Sequence, residues 1–272
     1  MSDGAVPFTY AIYDGKWDAI QAEVIEEGQI AIFVNGRELA VLMCSPFDPE
    51  QLAFGFLANE GLIENMADVE ISHVCNSGGC VDIWLSHSIW DKPRRRVITS
   101  GCTGGQTFRD LAASQPPVES DLRIEPEQIG SLINQMQSED SLYSRARGVH
   151  VSGLSDGESL LVIAEDIGRH NTMDRLRGEC LRQGIDPKGC IILTSGRVSS
   201  EMINKAAQMG SPLVASRTSP TSLTVDLARA WNITLCGYVR RNRMNVYSHP
   251  ERLGSEVSLT EITPAPVVYS ED

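Results

Sequence analysis

The sequence is short of long apolar runs and of positive charge, and each shortage excludes a class of protein. No stretch approaches the roughly 20 apolar residues of a membrane-spanning helix, and residues 1–10 lack the basic and apolar regions of a signal peptide. Lys and Arg number 23 against 36 Asp and Glu, a net charge of −13. Nonspecific nucleic-acid binding needs many cations to neutralise phosphates, so this charge argues against it. Together with the lack of apolar runs and of a signal peptide, we expect a soluble cytoplasmic protein that binds neither membrane nor nucleic acid.

The seven cysteines fall into two groups. Four lie inside apolar runs and are typical of reduced core thiols: Cys44, Cys180, Cys190 and Cys236. Gly, Ser, Asn and Thr surround Cys75, Cys80 and Cys102, and such surroundings predict loops. Any cysteine chemistry therefore belongs to these three thiols. A metal cluster of Cys75, Cys80 and His73 is a further hypothesis, but the spacing is not Cys-x-x-Cys and no fourth ligand is evident.

A Pro, Ser and acid-rich stretch at residues 112–123 divides a chain that, at 272 residues, is near two average domain lengths. We expect an α+β domain rich in β-hairpins over residues 1–115, an α/β domain over 116–255 and a tail over 256–272. In the first, Asn35-Gly36 between apolar runs predicts a β-hairpin. Asp48-Pro49 predicts the start of a helix that ends near Gly61, and residues 69–74, 81–85 and 95–98 read as strands.

Helical segments alternate with short apolar runs from residue 126 onward. The predicted helices are 126–136, 171–183, 199–209 and 220–230, and the apolar runs are 160–164, 190–194, 213–215 and 233–238. This alternation predicts βαβ units around a largely parallel sheet.

Arginine occurs in all four loops that follow these apolar runs. Ligands of open parallel sheets bind at the carboxyl ends of the strands, Arg binds phosphate bidentately, and helix N-termini expected at Asn171, Ser199 or Ser200 and Ser219 add free N–H groups. The pattern therefore predicts a phosphate-bearing ligand. The arginines are Arg169, Arg197, Arg217, Arg240, Arg241 and Arg243.

Two alternatives stay open at this edge of the sheet. Each arginine could pair with a neighbouring acid and only stabilise the surface. The acids nearest in sequence are Glu165, Asp166, Glu201 and Asp226. His170 is either a general acid or base beside Asp166 or a ring that this carboxylate holds in place.

Cys102 lies in a glycine-rich loop, TSGCTGG, at residues 99–105. Arg94, Arg95 and Arg96 precede this loop and Arg109 follows it. Exposure and nearby positive charge favour the thiolate, so the setting predicts a nucleophilic cysteine. An ordinary turn cysteine is the alternative.

The chain resembles the formate dehydrogenase accessory sulfurtransferase family in a series of short blocks between about residues 20 and 253. The blocks are VNG at 34–36, FGFL at 54–57, EGLI at 60–63, TSGC at 99–102, EDIGRHN at 165–171, SGR at 195–197 and SPT at 219–221. EDIGRHN followed by SGR is far more specific than any single glycine motif.

This resemblance implies a cytoplasmic sulfur carrier whose second domain has a three-layer, cytidine-deaminase-like fold. Sulfur from a cysteine desulfurase would rest as a persulfide on Cys102 and pass to the molybdenum or tungsten bis-guanine-dinucleotide cofactor, needed for formate dehydrogenase activity. GDP is an expected analogue of that cofactor, a homodimer is expected, and no structural metal is implied. No zinc-deaminase signature is present, so the fold does not imply deamination.

The cofactor-binding stretch of the family falls near the C-terminus of this chain. Its residues here are Tyr238, Val239, Arg240, Arg241, Asn242 and Arg243. With them we expect Arg169, Arg197 and Arg217 to hold cofactor phosphates, and Asp166, His170 and Asn171 to shape the site or bind a guanine base.

Two departures from the family pattern bear on mechanism. Gly105 stands where the family has the second cysteine of Cys-x-x-Cys, and Ala146-Arg147-Gly148 stands where Thr-Gly-Gly usually precedes a histidine, which puts the role of His150 in doubt. A single thiolate can still accept and release sulfane sulfur. The rival readings are a non-catalytic chaperone that delivers the cofactor, and an unrelated phosphate-ester enzyme that uses the EDIGRHN carboxylates for a metal.

Overall fold

An antiparallel hairpin that the sequence analysis did not predict opens the computed structural model, which describes residues 3–89, 97–98, 106–107, 115–136 and 141–259. Its strands are β1 (Ala5–Tyr13) and β2 (Trp17–Ile25), which form a two-stranded sheet of their own. Most of its side chains are exposed, so it makes little of the core.

A four-stranded sheet follows, in the order β4-β3-β6-β5. Its strands are β3 (Gly28–Val34), β4 (Arg37–Cys44), β5 (Val69–Val74) and β6 (Cys80–Leu85). Asn35 and Gly36 have φ angles of 50° and 75°, as a type I′ turn requires, which confirms the predicted hairpin. Two short paired strands come next, β7 (Val97–Ile98) and β8 (Gln106–Thr107).

Helix α1 (Pro49–Asn59) begins as its sequence predicts. The side chain of Asp48 accepts a hydrogen bond from the backbone N–H of Gln51 at 3.2 Å, and proline occupies the first turn. The helix is buried along most of its length, because it packs against the sheet on one side and against a helix of the second half of the chain on the other.

The second half is built on a six-stranded sheet with the order β10-β9-β11-β12-β13-β14. Its strands are β9 (His150–Ser155), β10 (Leu160–Asp166), β11 (Ile191–Thr194), β12 (Leu213–Ser216), β13 (Thr234–Arg240) and β14 (Arg243–Ser248). Within the described residues of this sheet, β11–β12 and β12–β13 are the pairs that run parallel. The prediction of a largely parallel sheet is therefore wrong, because the unpredicted strands β9 and β14 pair antiparallel: β9 with β10 and β11, and β14 with β13.

Helices cover both faces of this sheet. They are α2 (Pro126–Gln135), the short α3 (Leu142–Ala146), α4 (Arg169–Gln183), α5 (Ser200–Gln208) and α6 (Ser222–Ala230). Ile191 and Leu193 of β11 pack in one core with α2, whereas Ile192 packs in another with α4 and α5, as the alternation of a strand dictates. The mixed α/β class is confirmed; the cytidine-deaminase likeness and the domain limits stay predictions.

The two halves of the chain meet where α1 crosses α4. A Cβ at Gly55 would collide with the backbone of Asp174, and one at Gly178 with the backbone of Gln51. Two glycines therefore let the helix backbones touch.

The burial of four cysteines agrees with their predicted role in the core. The four predicted core thiols are free and buried. Within the described ranges, no helix is long and apolar enough to cross a membrane.

Candidate functional site

Four strand ends meet at one edge of the six-stranded sheet. Strand β9 is antiparallel to both β10 and β11, and β11, β12 and β13 run parallel. The carboxyl ends of β10 to β13 therefore lie on the same side, as ligand binding in such sheets requires. We call these loops, together with the adjoining ends of β13 and β14, the arginine rim; its residues are 167–169, 195–199, 217–221 and 240–243.

Hydrogen bonds join the last three of these loops. The hydroxyl of Ser216 donates to the carbonyl of Gly196 at 2.7 Å, and the guanidinium of Arg240 donates to the carbonyl of Arg217 at 2.8 Å. The backbone N–H of Tyr238 donates to the carbonyl of Thr218 at 2.9 Å. These contacts fix the loops relative to one another.

Close packing brings the first loop to the same place. A Cβ added at Gly196 would lie 3.0 Å from Cβ of Arg169 and 3.1 Å from Nδ1 of His150. Such distances are tighter than most Cβ contacts, so Gly196 packs closely against both residues. The arginine rim is therefore continuous across all four strand ends.

Five rim arginines have no acidic partner among the residues that the structure describes. None of their guanidinium groups forms an ion pair with a described Asp or Glu, and these arginines are Arg197, Arg217, Arg240, Arg241 and Arg243. Arg197 and the three from 240 to 243 are exposed, and Arg217 is half-buried. On a chain of net charge −13, this concentration of unneutralised positive charge attracts anions.

The acids expected to neutralise these arginines are used elsewhere. Glu165 accepts hydrogen bonds from the backbone N–H groups of Leu142 and Tyr143 at 2.8 and 2.9 Å. Asp166 pairs with a buried arginine of α4, and Glu201 pairs with Lys205. Asp226 forms no ion pair with these arginines either, so among the described residues the surface-pairing alternative is wrong for all five. The EDIGRHN carboxylates that the metal-dependent alternative needs are already engaged.

Helix N-termini lie at the rim, although two begin at other residues than predicted. Helix α4 begins at Arg169 rather than Asn171, and α6 begins at Ser222, with Thr221 rather than Ser219 as its N-cap. The N-cap of α4 is Gly168, which has no side chain to accept a hydrogen bond, and the side chain of Ser199 does not cap α5. The first-turn N–H groups of both helices thus add to the positive potential.

His170 is held by different partners than expected. Its Nε2 lies 3.0 Å from the hydroxyl of Ser199, and its Nδ1 lies 3.5 Å from the carboxylate of Glu201. The expected contact with Asp166 is therefore wrong. Burial lowers the pKa of His170 to about 4 despite the nearby Glu201, so the ring is neutral at pH 7 and positions Ser199 at the α5 N-terminus.

A buried chain of charges runs from His170 toward α1. Lys205 lies 3.1 Å from Glu201 and 2.9 Å from Asp174, and Asn59 donates to Asp174 at 2.8 Å. Burial by itself lowers the pKa of Lys205, but the two carboxylates raise it above its usual value. The i, i+4 spacing of Glu201 and Lys205 was visible in the sequence, whereas their burial was not.

A second buried cluster, which sequence reasoning missed, ties α4 to the β4–α1 loop. Arg175 is fully buried and donates from Nε to Asp166 at 2.8 Å and from Nη2 to the carbonyl of Ser45 at 2.7 Å. The amide of Asn171 donates to Asp166 and to the carbonyl of Met43, each at 2.8 Å. Burial raises the pKa of Asp166, and Arg175 opposes that shift. Both N–H groups of Asn171 are thus occupied, although its role at the ligand stays a prediction.

The C-terminal stretch forms the end of β13 and the turn to β14. Tyr238 is exposed, with a φ of 52°, whereas the side chain of Val239 lies in the core, so only its backbone can face a ligand. A cavity of about 500 Å³ opens beside the turn. Its lining includes Arg241, Asn242 and Arg243 together with Glu127 and Met244. The ligand roles of these residues stay predictions.

The cysteines predicted to carry chemistry have separate outcomes. Cys102, Gly105 and the flanking Arg94, Arg95, Arg96 and Arg109 lie outside the described residues; the pair β7–β8 brackets residues 99–105 in sequence. Cys75 and Cys80 form a disulfide instead of the suggested metal cluster. Among described residues, no group of three metal-ligating side chains is found.

Comparisons with known proteins agree on one family. The FdhD/NarQ family model matches residues 25–254. "Sulfur carrier protein FdhD" of Staphylococcus aureus strain MRSA252 is 35% identical over 246 residues, which cover 88% of this chain and 92% of the relative. The protein of the same name from strain Newman is 35% identical over 245 residues, with the same two shares, 88% and 92%.

A solved structure supports the same family assignment. The crystal structure of a formate dehydrogenase accessory protein from Desulfotalea psychrophila superposes with a TM-score of 0.76 at 28% identity, covering 92% of this chain and 99% of that chain. The family match, the relatives and the shared fold confirm the resemblance found in the sequence. The chain belongs to the FdhD/NarQ family.

Proposed function

We propose that this protein is a sulfur carrier that takes persulfide sulfur from a cysteine desulfurase and passes it to the molybdenum or tungsten bis-guanine-dinucleotide cofactor. This transfer is needed for the activity of formate dehydrogenase. The observation that carries the proposal is the 35% identity over 88% of the chain to proteins named sulfur carriers. The structural neighbour, named as a formate dehydrogenase accessory protein, supports the choice of client enzyme. The proposed location is the cytoplasm.

In this proposal Cys102 carries the sulfur. Its thiolate attacks the outer sulfur of a desulfurase persulfide, an S–S bond breaks and another forms, and the desulfurase leaves as a thiolate. In delivery, the acceptor supplies the electron pair for a new bond to the outer sulfur, the S–S bond at Cys102 breaks, and Cys102 leaves as a thiolate. One thiol suffices for each transfer, so Gly105 in place of a second loop cysteine is compatible with the reaction.

The arginine rim supports the binding of this cargo. Two guanine dinucleotides bring four phosphates, and charge-assisted, bidentate hydrogen bonds from Arg suit phosphate better than any other side chain does. Five rim arginines without described acidic partners match that need. The cavity beside Arg241 and Asn242 also contains Glu127, whose carboxylate is complementary to the N–H donors on the Watson–Crick edge of guanine. GDP is the natural probe of this site.

The shared fold adds two structural proposals. The helices on both faces of the mixed sheet support the cytidine-deaminase-like layering.

For the homodimer, the exposed β1–β2 hairpin offers a surface: Phe8, Tyr10 and Ile12 share one face of β1 and are 54%, 45% and 42% exposed. A lone two-stranded hairpin is marginally stable in water, and a second copy that presents the same apolar face would cover it. Sedimentation should show a dimer for the wild type and a monomer for Tyr10→Lys, with Lys16→Ser at the turn as control; a Tyr10→Lys dimer contradicts the assignment.

Sulfur loading separates this proposal from the rival chaperone. The purified protein is incubated with a cysteine desulfurase and cysteine, and its intact mass is measured beside that of Cys102→Ala. The carrier gains the mass of a sulfur atom at Cys102, and the variant does not. A protein that binds GDP but gains no sulfur at Cys102 is a chaperone that delivers the cofactor without sulfur transfer.

A further inference from the structure

The Cys75–Cys80 pair lies in an exposed turn at the edge of the four-stranded sheet. Cys75 directly follows β5, the edge strand, and Cys80 begins β6. Their Cα atoms are 5.3 Å apart, within the range that a disulfide spans without moving the backbone. The two sulfurs can therefore be joined or separated while the hairpin keeps its shape.

The hairpin does not depend on that bond. The backbone N–H of Cys75 donates to the carbonyl of Cys80 at 3.0 Å, and the N–H of Gly78 donates to the carbonyl of Cys75 at 2.8 Å. The ladder between β5 and β6 continues beyond these bonds. The disulfide closes a loop between residues only five apart, and short loops gain the least from a cross-link. A disulfide at this position therefore adds little to the stability of the fold.

Access distinguishes this pair from the other described cysteines. Both are half-buried, and Asn76 and Ser77 between them are exposed. The remaining described cysteines are free and buried, namely Cys44, Cys180, Cys190 and Cys236. Burial raises the pKa of Cys44 and of Cys236 to about 12, which makes those thiols poor nucleophiles. Among the described residues, Cys75 and Cys80 are therefore the cysteines that a dissolved thiol or persulfide can reach.

We propose that Cys75 and Cys80 form a second sulfur-handling site, at which the reduced pair converts persulfide sulfur to sulfide. One thiolate attacks the inner sulfur of a persulfide R–S–SH, the sulfur bonded to R. A mixed disulfide forms and hydrosulfide is expelled. The other thiolate attacks the mixed disulfide, which closes Cys75–Cys80 and releases R–SH. Two thiols are oxidised, one sulfane sulfur is reduced to sulfide, and a small thiol reductant of the glutathione class regenerates the dithiol.

This site goes beyond the proposed function and rests on it only in taking a persulfide as oxidant. It needs no participation of Cys102. The substrate class is a persulfide that can reach an exposed turn, whether carried by a small molecule or by a protein.

The test starts from fully reduced, full-length protein without oxygen, with glutathione persulfide as the probe. Sulfide release and the alkylation state of the Cys75–Cys80 peptide are measured for Cys102→Ala, for Cys102→Ala with Cys75→Ser and Cys80→Ser, and for Cys102→Ala with Asn76→Ser as a control in the same turn. We expect about one sulfide per chain above the protein-free background, with the pair becoming resistant to alkylation, in the first and third proteins. The protein lacking both cysteines should release at least tenfold less.

Two results overturn the proposal: equal sulfide release from the protein lacking Cys75 and Cys80, or a pair that stays alkylatable after persulfide treatment. Circular dichroism of each variant establishes that loss of release is not loss of folding. Failure of sulfur loading at Cys102 with a desulfurase would instead refute the proposed function. The two failures are therefore distinguishable.

Discussion

Replacing Arg175 by Met should be among the most destabilising single changes at the junction of α4 with the β4–α1 loop. The methionine keeps most of the aliphatic volume but removes every donor. Nη1 of Arg175 donates to the carbonyls of Phe47 and Asp48 at 3.0 and 3.2 Å, and Nε pairs with the buried carboxylate of Asp166 at 2.8 Å. Removing one partner of a buried ion pair costs about 3–5 kcal/mol, so we expect a loss of about 4 kcal/mol in the free energy of unfolding.

Arg182→Met is the matched control on the same helix. Arg182 pairs with Asp48 at the surface, where both side chains are more than a third exposed, and such pairs contribute about 0–1 kcal/mol. Urea unfolding at pH 7.5 measures both variants. A loss for Arg175→Met no larger than that for Arg182→Met would refute the reasoning.

The same variant has a predicted pH dependence. Without Arg175, burial raises the pKa of Asp166 further, so the folded state binds a proton that the unfolded state releases. Stability relative to the wild type should then recover as the pH falls from 7.5 toward 5.5. Combining Arg175→Met with Asp166→Asn should cost less than the sum of the two single changes.

Two further predictions concern His170 and the helix crossing. The pKa of about 4 at His170 lies below the usual 6.5, so folding favours the neutral ring. Its contribution to the free energy of unfolding, about 3 kcal/mol, is complete above pH 6.5 and is lost as the pH falls toward 4. Urea unfolding across that pH range should show this loss for the wild type and not for His170→Gln, and equal pH slopes would contradict the assignment. Gly55→Ala should lower the free energy of unfolding by at least about 2 kcal/mol, because its Cβ would collide with the backbone of Asp174. The control Gly79→Ala makes only ordinary contacts and should change it by no more than about 0.5 kcal/mol. Similar losses for both variants would mean that the helices can separate.

Local signals in the sequence predicted local structure well. Asn35-Gly36 specified its turn, and Asp48-Pro49 specified the start of α1, because each depends on backbone preferences of adjacent residues. The order of the second half also predicted that the loops after β10 to β13 would carry the arginines to one edge. The outcome depended only on which runs are strands and on their common direction.

Strand pairing and side-chain contacts between residues far apart in the chain could not be predicted from the sequence. Strand β14 alternates in burial without a strong apolar pattern, and most side chains of β1 and β2 face solvent, so neither gave a clear hydrophobic period. The backbone carbonyls of Ser45 and Phe47 that Arg175 contacts lie more than 120 residues away in sequence, and nothing near Arg175 marks it as buried. The same holds for the partnership of His170 with Ser199, which depends on how α4 packs against α5.

The central proposal, that the arginine rim holds a guanine nucleotide cargo, is tested most directly by calorimetric titration of GDP. Arg241→Ala is compared with Arg229→Ala, an exposed arginine on α6 that contacts the carbonyl of Tyr247 outside the rim. Loss of charge-assisted hydrogen bonds to phosphate costs about 1.5 kcal/mol or more, so Arg241→Ala should weaken GDP binding about tenfold and Arg229→Ala should leave it unchanged. Equal affinity of the wild type and Arg241→Ala would contradict the assignment of this arginine to the site.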